Sequence, residues 1–453
     1  RLMYKLPETL SGEIDHYGTQ IDEYLAGEID PVKFKSVRVP MGIYEQRKDG
    51  TYMVRVRCVG GYISPWQLNQ VALIARKYEA SVVHITTRQE LQIQKVELDK
   101  TLLIVQDLFE AGLASRGGGG NTVRNIMASV DAGIARDEVF DVTPYAVALT
   151  NKLIAEPDSW ALPRKFKVSF SGSEKDNAYA AFNDLGFIAR IKNGKRGFKV
   201  YIGGSLGAKA MVGYVLFDFA PADDLYYITD AVKKLFSRYG NRRNKHKARL
   251  RFVFYKLGKE KVFELFHQIY NEIRKTENLP FEIEKLDFPT VVHQLKPELL
   301  SSQEFKTWEK RYVIEQKQND LLSIIIPVDH GNIDCDKLIK IAEFIQQFGD
   351  DVLRFSMRQN IHLRNIPSQY LGNVYNFLSK LEISIHEPFL LNSLVSCTGS
   401  DTCRLGICMA KGALSSIRKE LGKNNLPLDD LNDLNINISG CPNSCGQHKA
   451  ADL

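Results

Sequence analysis

An internal repeat constrains the fold of this chain most strongly, because a repeated unit must form the same supersecondary structure twice. The segment TTRQELQI at 86–93 matches SMRQNIHL at 356–363, an offset of 270 residues. At the same offset Gly61 matches Gly331. Four apolar pairs with helical spacing also match: Leu68, Val71, Ala72 and Ala75 with Leu338, Ile341, Ala342 and Ile345.

Each copy alternates strand and helix patterns. YMVRVRCV and LLSIIIPV predict a first strand, and ASVVHITT and DVLRFSM predict a second. The intervening helix has an N-cap and a first-turn proline at Ser64 and Pro65 in one copy, and an N-cap at Asp334 in the other. The sequence therefore predicts one α/β module present twice.

A weaker repeat follows the first, with an offset of 268 residues. FSGSEKDNAYAAFNDL at 170–185 aligns without gaps on ISGCPNSCGQHKAADL at 438–453, sharing Ser-Gly near the start and Asp-Leu at the end. The first copy continues into GFIARIKNGKRGFKVYIGGSLG, whereas the second reaches Leu453. We therefore expect the second copy to be incomplete in this chain.

Length and composition narrow the class of protein. With 453 residues, 44% hydrophobic and 25% charged, the chain has the size of about three domains. It has neither an apolar run of ~18 residues nor a secretory signal pattern in its first residues, which predicts a cytoplasmic protein without a membrane partner. A net charge of +6 is too small to indicate nucleic acid without a focused patch.

The repeats and the pattern changes predict five regions. A stretch with several prolines at 280–310 separates the two halves. The regions are an N-terminal extension (1–35), a strand–helix module (36–115), a larger domain (120–285), a second module (310–385) and an incomplete second domain (390–453).

Cysteine clustering is the strongest chemical signal. Cys397 and Cys403 form a C-x5-C pair, and Cys441 and Cys445 form a C-x3-C pair. Four thiolates suit structural zinc or an iron–sulfur cluster. Zinc sites usually use tighter pairs, so the spacing favours a cluster. Buried structural cysteines are the alternative, and we expect that role for Cys58, Cys335 and Cys408, the last on a predicted helix RLGICMAKGAL.

With this motif, the chain resembles the sirohaem-dependent sulfite and nitrite reductases over nearly its whole length, from VRVRCVGG to CPNSCG. The resemblance implies an α/β (α+β) fold with pseudo-twofold repeated strand–helix modules, and larger mixed-sheet domains around a central cofactor. The modules would be ferredoxin-like half-domains, 120–285 the sirohaem and substrate domain, and 390–453 the iron–sulfur domain. The four cysteines would hold a [4Fe-4S] cluster, with Cys445 also bridging to the sirohaem iron.

Basic residues fit the same resemblance, because sirohaem carries eight carboxylates and the substrates are anions. Arg55 and Arg57 alternate on one predicted strand. By resemblance the substrate anion is held by Arg57, Arg124, Lys165 and Lys167. The expected cofactor contacts are Arg55, Arg88, Gln92, Asn125, Arg242 and Asn443.

Other segments leave alternatives open. The run RRNKHKARLR at 242–251 could bind sirohaem carboxylates or be a solvated surface, with Arg242 its best candidate. Gly117–Gly120 could be a flexible loop or a loop that wraps the macrocycle. The sequence has no P-loop and no G-x-G-x-x-G fingerprint, so electrons are expected from a separate donor, a ferredoxin or a flavoprotein.

The resemblance implies six-electron reduction of sulfite to sulfide, or of nitrite to ammonia. Members similar to nitrite reductases tend to carry asparagine where this chain has Lys167, which favours sulfite; the loop CTGSDTC is closer to the nitrite branch. A cobalamin-pathway monooxygenase is a third possibility within the superfamily. Two hypotheses from other classes are an iron–sulfur electron-transfer or scaffold protein without sirohaem, and a zinc-containing nucleic-acid-binding protein.

Overall fold

The computed structural model describes residues 3–289 and 291–453 and has a mixed α/β fold, as the sequence predicted. The chain forms two units: Glu45–Leu113 with Asp287–Leu453 (unit 1), and Met3–Tyr44 with Ala114–Leu286 (unit 2). Arg1 and Leu2 of the predicted N-terminal extension, and Thr290 of the predicted connection, lie outside the described residues.

The secondary structure has the following bounds. The α-helices are α1 (Leu10–Leu25), α2 (Pro31–Arg38), α3 (Pro65–Lys77), α4 (Leu98–Glu110), α5 (Thr143–Ala155), α6 (Leu225–Tyr239), α7 (Arg251–Leu257), α8 (Lys259–Thr276), α9 (Gln303–Tyr312), α10 (Cys335–Ile345), α11 (Leu371–Lys380), α12 (Phe389–Ser393) and α13 (Ala410–Lys423). The strands are β1 (Ile43–Glu45), β2 (Tyr52–Val56), β3 (Val82–Ile85), β4 (Leu91–Val96), β5 (Met127–Ala128), β6 (Val168–Ser171), β7 (Leu185–Lys192), β8 (Lys195–Ile202), β9 (Tyr214–Pro221), β10 (Val313–Glu315), β11 (Leu321–Ile326), β12 (Asn332–Asp334), β13 (Leu353–Phe355), β14 (Ile361–Pro367), β15 (Val395–Ser396) and β16 (Asn437–Ile438).

Unit 1 contains residues 45–113 of the first predicted module (36–115) and all of the second (310–385). The repeat extends to irregular details of the backbone. β2 pairs with β4 through a register shift between Tyr52 and Val54, and β11 pairs with β14 through the same shift between Leu322 and Ile324. The left-handed residues Gln89 (φ 62°) and Gln359 (φ 63°) also match at the 270-residue offset. The first repeat is therefore confirmed at the level of single turns.

Each module adds an edge segment to the sheet of the other. β12 of the second copy pairs antiparallel with β3 of the first, and Tyr62 of the first copy bridges Arg354 in β13. Helices α3 and α10 pack together, and all eight apolar residues of the predicted helical pattern are buried. The apolar stripes of the two helices therefore form a shared core.

Unit 2 is built on one five-stranded sheet with the order β5-β6-β7-β8-β9. β5, β6 and β7 are parallel neighbours, and β7, β8 and β9 are antiparallel. Buried rings fill its core, with Phe170 stacked on Phe187 at 4.8 Å between ring centroids and Phe198 meeting both edge-on. Of the predicted anion-binding residues, Arg124 comes shortly before β5, and Lys165 and Lys167 come directly before β6.

The second repeat is also confirmed, at its 268-residue offset. In unit 2, Met127 and Ala128 pair in parallel with Ser169 and Phe170; in unit 1, Val395 and Ser396 pair in parallel with Asn437 and Ile438. Short 3-10 turns follow at Ala180–Phe182 and His448–Ala450. Among the described residues, no helix is both long and apolar enough to cross a membrane.

Candidate functional site

The four predicted cluster ligands follow the two strands of one parallel pair in unit 1. Cys397 comes directly after β15, and its N–H donates to the carbonyl oxygen of Ile438 in β16 at 3.1 Å. Cys441 comes three residues after that strand ends. Because neighbouring parallel strands end at the same edge of a sheet, both cysteine pairs emerge there.

Glycines let the two cysteine loops approach each other closely. The Gly440 N–H donates to Cys397 Sγ at 3.1 Å. A Cβ on Gly440 would lie 2.7 Å from the Cα of Gly399, and one on Gly406 would lie 2.4 Å from the carbonyl carbon of Gly399. Any side chain at these positions would push the loops apart, so the glycines are needed for the cysteines to converge.

The donor set fits an iron–sulfur cluster better than a single ion. Burial raises the pKa of Cys397 and of Cys403, and the nearby Cys445 and Cys441 raise both pKa values further. In residues 3–289 and 291–453 no three His, Cys, Asp or Glu side chains form a group that could hold one metal ion. In an iron–sulfur cluster each thiolate binds its own iron atom, and the C-x5-C pair is wider than the cysteine pairs usual at structural zinc sites.

Residues from the first module fix the cysteine loops. The Thr87 hydroxyl donates to the carbonyl oxygen of Cys445 at 2.7 Å, and Gln447 Nε2 donates back to the carbonyl oxygen of Thr87 at 3.0 Å. Arg47 Nη2 donates to the carbonyl oxygen of Gly406 at 2.5 Å. The sequence analysis missed Thr87 and Arg47, although Thr87 lies inside the repeated segment TTRQELQI.

One cysteine prediction was wrong. Cys408 is exposed, whereas we expected it to lie in a helix core. Helix α13 begins only at Ala410, and both the Ile407 and Cys408 N–H groups donate to the Gly440 carbonyl oxygen instead. Cys58 and Cys335 are buried, as predicted. Cys445 and Asn443 are exposed, and their roles stay predictions.

The predicted anion contacts of unit 1 lie around the β2–β4 pair. Arg55 Nη1 forms an ion pair with Glu90 Oε2 at 2.8 Å, and Arg55 lies opposite Gln92 in the ladder. Strand β2 ends at Val56, so Arg57, which is buried, lies one residue beyond the strand rather than within it. Arg88 follows β3 and is half-buried.

The glycine run of unit 2 is held by Arg124. Arg124 Nη1 donates to the carbonyl oxygen of Gly118 at 2.9 Å, and its Nη2 donates to that of Gly120 at 3.0 Å. A Cβ on Gly119 would lie 2.1 Å from the carbonyl oxygen of Val39. The loop therefore has a defined packed conformation, and the adjoining Asn125 is fully buried.

Lys165 and Lys167 flank a buried ring. Phe166 between them is fully buried and bridges Val123 in a parallel arrangement, while β6 itself begins at Val168. Both lysines are half-buried. In an extended segment alternate side chains leave the same side, so we expect Lys165 and Lys167 to point away from Phe166 together.

A buried ion pair missed by the sequence analysis lies beneath this segment. Asp184 Oδ2 accepts from Arg249 Nη2 at 2.9 Å and from the Lys167 N–H at 2.9 Å, and the Asp184 side chain has no exposed area. Arg249 belongs to the run at 242–251, in which the sequence analysis predicts Arg242 as the cofactor contact. Arg242 is exposed and donates to the Ala161 carbonyl oxygen and to Ser237 Oγ, so its predicted cofactor role stays a prediction.

The electrostatics of unit 2 suit a ligand with several carboxylates. Burial, then the charges of Arg124 and Arg249, lower the pKa of Arg164. Burial and Arg249 lower the pKa of Arg251 to about 10. Guanidinium groups that are desolvated and repel one another become more favourable when anions bind between them. The residues present therefore fit sirohaem, whose carboxylates would supply those anions.

Comparison with known proteins identifies the family. Residues 44–111 and 314–381 match the nitrite/sulfite reductase ferredoxin-like half domain, and residues 119–274 match the nitrite and sulphite reductase 4Fe-4S domain. The chain belongs to the nitrite and sulphite reductase family. Its members are oxidoreductases that use sirohaem and a [4Fe-4S] cluster, and the predicted family, enzyme class and cofactors are confirmed.

Relatives within the family carry both activities in their names. The chain is 29% identical to a ferredoxin–nitrite reductase of Synechococcus elongatus, over 89% of this chain and 76% of the relative. It is 29% identical to the chloroplastic enzyme of Arabidopsis thaliana, over 91% and 69%. It is 27% identical to a ferredoxin-dependent sulfite reductase of Mycolicibacterium paratuberculosis, over 91% and 74%.

A solved structure supports the fold. The NirA protein of Mycobacterium tuberculosis superposes with a TM-score of 0.77 at 24% identity, covering 96% of this chain and 80% of that protein. This likeness concerns the architecture. The reductase described here therefore has the family fold, while its substrate is a separate question.

Proposed function

We propose that this reductase converts sulfite to sulfide in a six-electron reduction. The proposal depends mainly on Lys165 and Lys167, which are half-buried and lie on either side of the buried Phe166 in one segment of unit 2. Two ammonium groups at short range stabilise a doubly charged oxyanion more than a singly charged one, and more strongly as water is excluded.

Sirohaem and the cluster, when bound, supply the electrons one at a time and an open iron position for the substrate. Cys397, Cys403, Cys441 and Cys445 would hold the cluster, and Cys445 would be the residue through which the cluster is coupled to the sirohaem. Charged and polar side chains would bind the sirohaem carboxylates, namely Arg55, Arg88, Gln92, Asn125, Arg242 and Asn443.

The substrate anion would be held by Arg57, Arg124, Lys165 and Lys167. Guanidinium N–H groups present fixed donors to oxyanions, and Arg124 is already oriented by the Gly118 and Gly120 carbonyl oxygens. The lysine Nζ atoms would donate hydrogen bonds to the substrate oxygens. As negative charge builds on those oxygens, the same Nζ protons are available for transfer.

We further propose an external one-electron donor of the ferredoxin type, in accordance with the names of the relatives. The donor would be a separate protein, and a cytoplasmic location remains part of the proposal. Cys445 and Asn443 are exposed in unit 1, which would keep the cluster region accessible.

Nitrite reduction to ammonia is the second candidate. The loop CTGSDTC is closer to the nitrite branch, and the relatives from Synechococcus and Arabidopsis carry nitrite in their names. The sulfite reductase from Mycolicibacterium has nearly the same identity, 27% against 29%, so overall similarity does not rank the two substrates. The preference for sulfite over nitrite depends instead on the positive charge of Lys167.

Lys167→Asn tests the proposal. The change removes one charge and keeps a hydrogen-bond donor, so sirohaem and cluster contents should stay unchanged. We expect the ratio of sulfite to nitrite turnover per sirohaem to fall at least about tenfold, which corresponds to ~1.4 kcal/mol of differential stabilisation. Both turnovers are measured with reduced methyl viologen. If the ratio is unchanged at full cofactor content, Lys167 does not select sulfite and the proposal loses its main support.

A further inference from the structure

The loop that carries Cys403 (399–406, the Cys403 loop) has a counterpart in unit 2 at the 268-residue offset (131–138). In both loops the N–H of the fifth residue donates to the carbonyl oxygen of the first residue, Cys403 to Gly399 at 3.1 Å and Ala135 to Asp131 at 2.9 Å. The two loops therefore turn in the same way, and any difference in what stabilises them is informative.

Unit 2 stabilises its loop with a side chain of the loop itself. Glu138 Oε2 accepts the Gly133 N–H at 2.8 Å. Glu138 corresponds to Gly406 in the Cys403 loop. A Cβ on Gly406 would lie 2.4 Å from the carbonyl carbon of Gly399, so no side chain fits there without moving the turn. The Cys403 loop therefore lacks the internal contact that its counterpart has.

The hairpin turn between β1 and β2 supplies contacts to the Cys403 loop from outside. The Arg47 N–H donates to the Thr402 carbonyl oxygen at 2.9 Å. The Arg47 guanidinium donates from Nη2 to the Gly406 carbonyl oxygen at 2.5 Å and from Nε to the Cys403 carbonyl oxygen at 3.4 Å. One residue thus contacts the loop before, at and after the predicted cluster ligand.

Arg404 makes the reciprocal contacts, from the loop to the hairpin. Its Nε donates to the Gln46 carbonyl oxygen at 2.8 Å, and its Nη2 lies 2.8 Å from both Glu45 Oε1 and Asp49 Oδ1. These ion pairs are at the surface, where such pairs contribute little to stability. The hydrogen bonds of Arg47 to backbone carbonyl oxygens are therefore the contacts expected to matter most for the loop.

We propose that Arg47 is a positioning residue that keeps the Cys403 backbone in place for the iron–sulfur cluster. In this role it acts through the Cys403 loop and contacts neither iron nor substrate. A guanidinium has several N–H donors in a fixed plane, which lets one side chain contact two carbonyl oxygens of the turn. The proposal rests on the proposed function, because it takes Cys403 as one of the four cluster ligands.

Arg47→Met is the main test, since it removes the guanidinium and keeps an apolar side chain. We expect the holoenzyme to release cluster iron to the chelator bathophenanthroline disulfonate at least about fivefold faster than the parent enzyme, because loop opening frees Cys403 more often. Iron and acid-labile sulfide are followed together. Sirohaem absorbance and the thermal midpoint are measured for every variant, so that loss of fold is recognised.

Hydrogen exchange distinguishes a local effect from general loosening. The Gly406 N–H donates to the Cys403 carbonyl oxygen at 3.1 Å, so its exchange should also become about fivefold faster in Arg47→Met. Exchange at the Ala135 amide, in the counterpart loop of unit 2, should not change. Equal acceleration at both amides would contradict a positioning role and make Arg47 a general contributor to stability.

Arg47→Lys separates geometry from charge. Lysine keeps the positive charge but has a single ammonium group, which does not reproduce the planar guanidinium. We expect iron release from this variant to remain at least about threefold faster than from the parent enzyme. Release at the parent rate would show that charge alone suffices, which contradicts the proposed positioning by hydrogen bonds.

Lys48→Met is the matched control. Lys48 is an exposed cation in the same hairpin turn, and its carbonyl oxygen accepts the Thr51 N–H at 3.1 Å, a backbone contact that the variant keeps. Iron release and Gly406 exchange should stay at the parent rates. The two proposals fail separately. A full cluster in Cys403→Ser contradicts the ligand role, whereas an unchanged rate of iron release in Arg47→Met contradicts the positioning role.

Discussion

The loops that follow the strand pairs β5–β6 and β15–β16 share a backbone but differ in what closes them. In unit 2 the Gly172 N–H donates to Ser129 Oγ at 3.0 Å; at the equivalent place in unit 1 the Gly440 N–H donates to Cys397 Sγ at 3.1 Å. Left-handed residues recur as well, at Asp176 (φ 50°) and Ser444 (φ 54°). The two loops are copies of one structure.

Polar side chains close the loop in unit 2. Ser129 donates to Asn177 Oδ1, and Asn177 Nδ2 donates to Asp131 Oδ1 at 2.9 Å. Cysteines stand at the matching positions 397 and 445 in unit 1. Hydrogen bonds between side chains link the unit 2 loop, whereas thiols are weak hydrogen-bond donors and acceptors and, as thiolates, are good metal ligands. The comparison indicates that the same pair of loops can be linked by side-chain hydrogen bonds in one copy and by an iron–sulfur cluster in the other.

The proposed anion-holding positions also differ between the copies, and here it is the first copy that has the functional residues. The residues at the equivalent positions of the second copy carry no positive charge. Arg57, Arg124, Lys165 and Lys167 correspond to Pro327, Asn392, Asp433 and Asn435. Pro327 and Asn392 line one cavity of about 400 Å³ within unit 1. The duplicated positions thus share a place in the fold, and only the first copy has the charges that an oxyanion requires.

Converting a cysteine to its counterpart from the other copy should have the largest effect. Cys441→Ser introduces the residue found at Ser173, and Cys397→Ser the one found at Ser129. Because iron in such clusters is held by thiolates, we expect either variant, like Cys403→Ser, to lose the assembled cluster. Iron and acid-labile sulfide should fall to background. Ser129→Ala is the control and should retain both. A cysteine variant with full iron, sulfide and activity would not have lost a ligand.

The repeated arginines provide the next test. Arg358 Nε donates to the Ser393 carbonyl oxygen at 3.0 Å, and its Nη2 contacts the same oxygen and Asn437. Arg88 is its counterpart and is proposed to contact sirohaem. We expect Arg358→Met to lower the free energy of unfolding by about 2 kcal/mol, because charged hydrogen bonds to buried carbonyls are lost. Denaturant unfolding of the holoenzyme measures this.

Arg88→Met should instead lower the sirohaem content with a smaller loss of stability. The two variants are compared by the ratio of Soret absorbance to protein and by the unfolding midpoint. If both arginine variants lose stability equally and both keep sirohaem, the functional difference between the copies does not extend to this position.

Two equivalent amides test the loop comparison directly. A cluster-bound thiolate at Cys397 should accept the Gly440 N–H more strongly than a thiol does, because charge-assisted hydrogen bonds are about twice as strong. Removing the cluster should therefore speed hydrogen exchange at Gly440 about tenfold, or ~1.4 kcal/mol. Exchange at Gly172, bound to Ser129, should not change. Equal acceleration at both amides would indicate general loosening rather than a cluster-dependent loop.

Removing the two helix caps should have the smallest effect on stability, and the effect should be the same in both copies. The Gln67 N–H donates to Ser64 Oγ at 3.2 Å, and the Asp336 N–H donates to Asp334 Oδ1 at 2.9 Å. Ser64→Ala and Asp334→Ala should each lower the free energy of unfolding by about 1 kcal/mol. If one variant loses more than twice as much free energy of unfolding as the other in urea, the two caps do not contribute equally to stability.

Local patterns in the sequence determined the repeated modules, the buried faces of their helices and the helix caps of this protein. The two repeats, the helical stripes from Leu68 and Leu338, and the caps at Ser64 and Asp334 were predicted and are found. These features depend on residues a few positions apart, or on one pattern occurring twice, and such regularities are visible along the chain. The ligand role of the four clustered cysteines stays a prediction.

Tertiary structure alone decided the partners of the predicted site residues. Asp184 meets Arg249 across 65 positions, and Thr87 reaches the carbonyl oxygen of Cys445 across 358. Cys408 was predicted buried and is exposed, because the helix begins two residues later and the Gly440 carbonyl oxygen takes its N–H. Spacing along a chain reports local period and burial, whereas these contacts depend on where distant turns bring backbone groups together, and no local pattern encodes that.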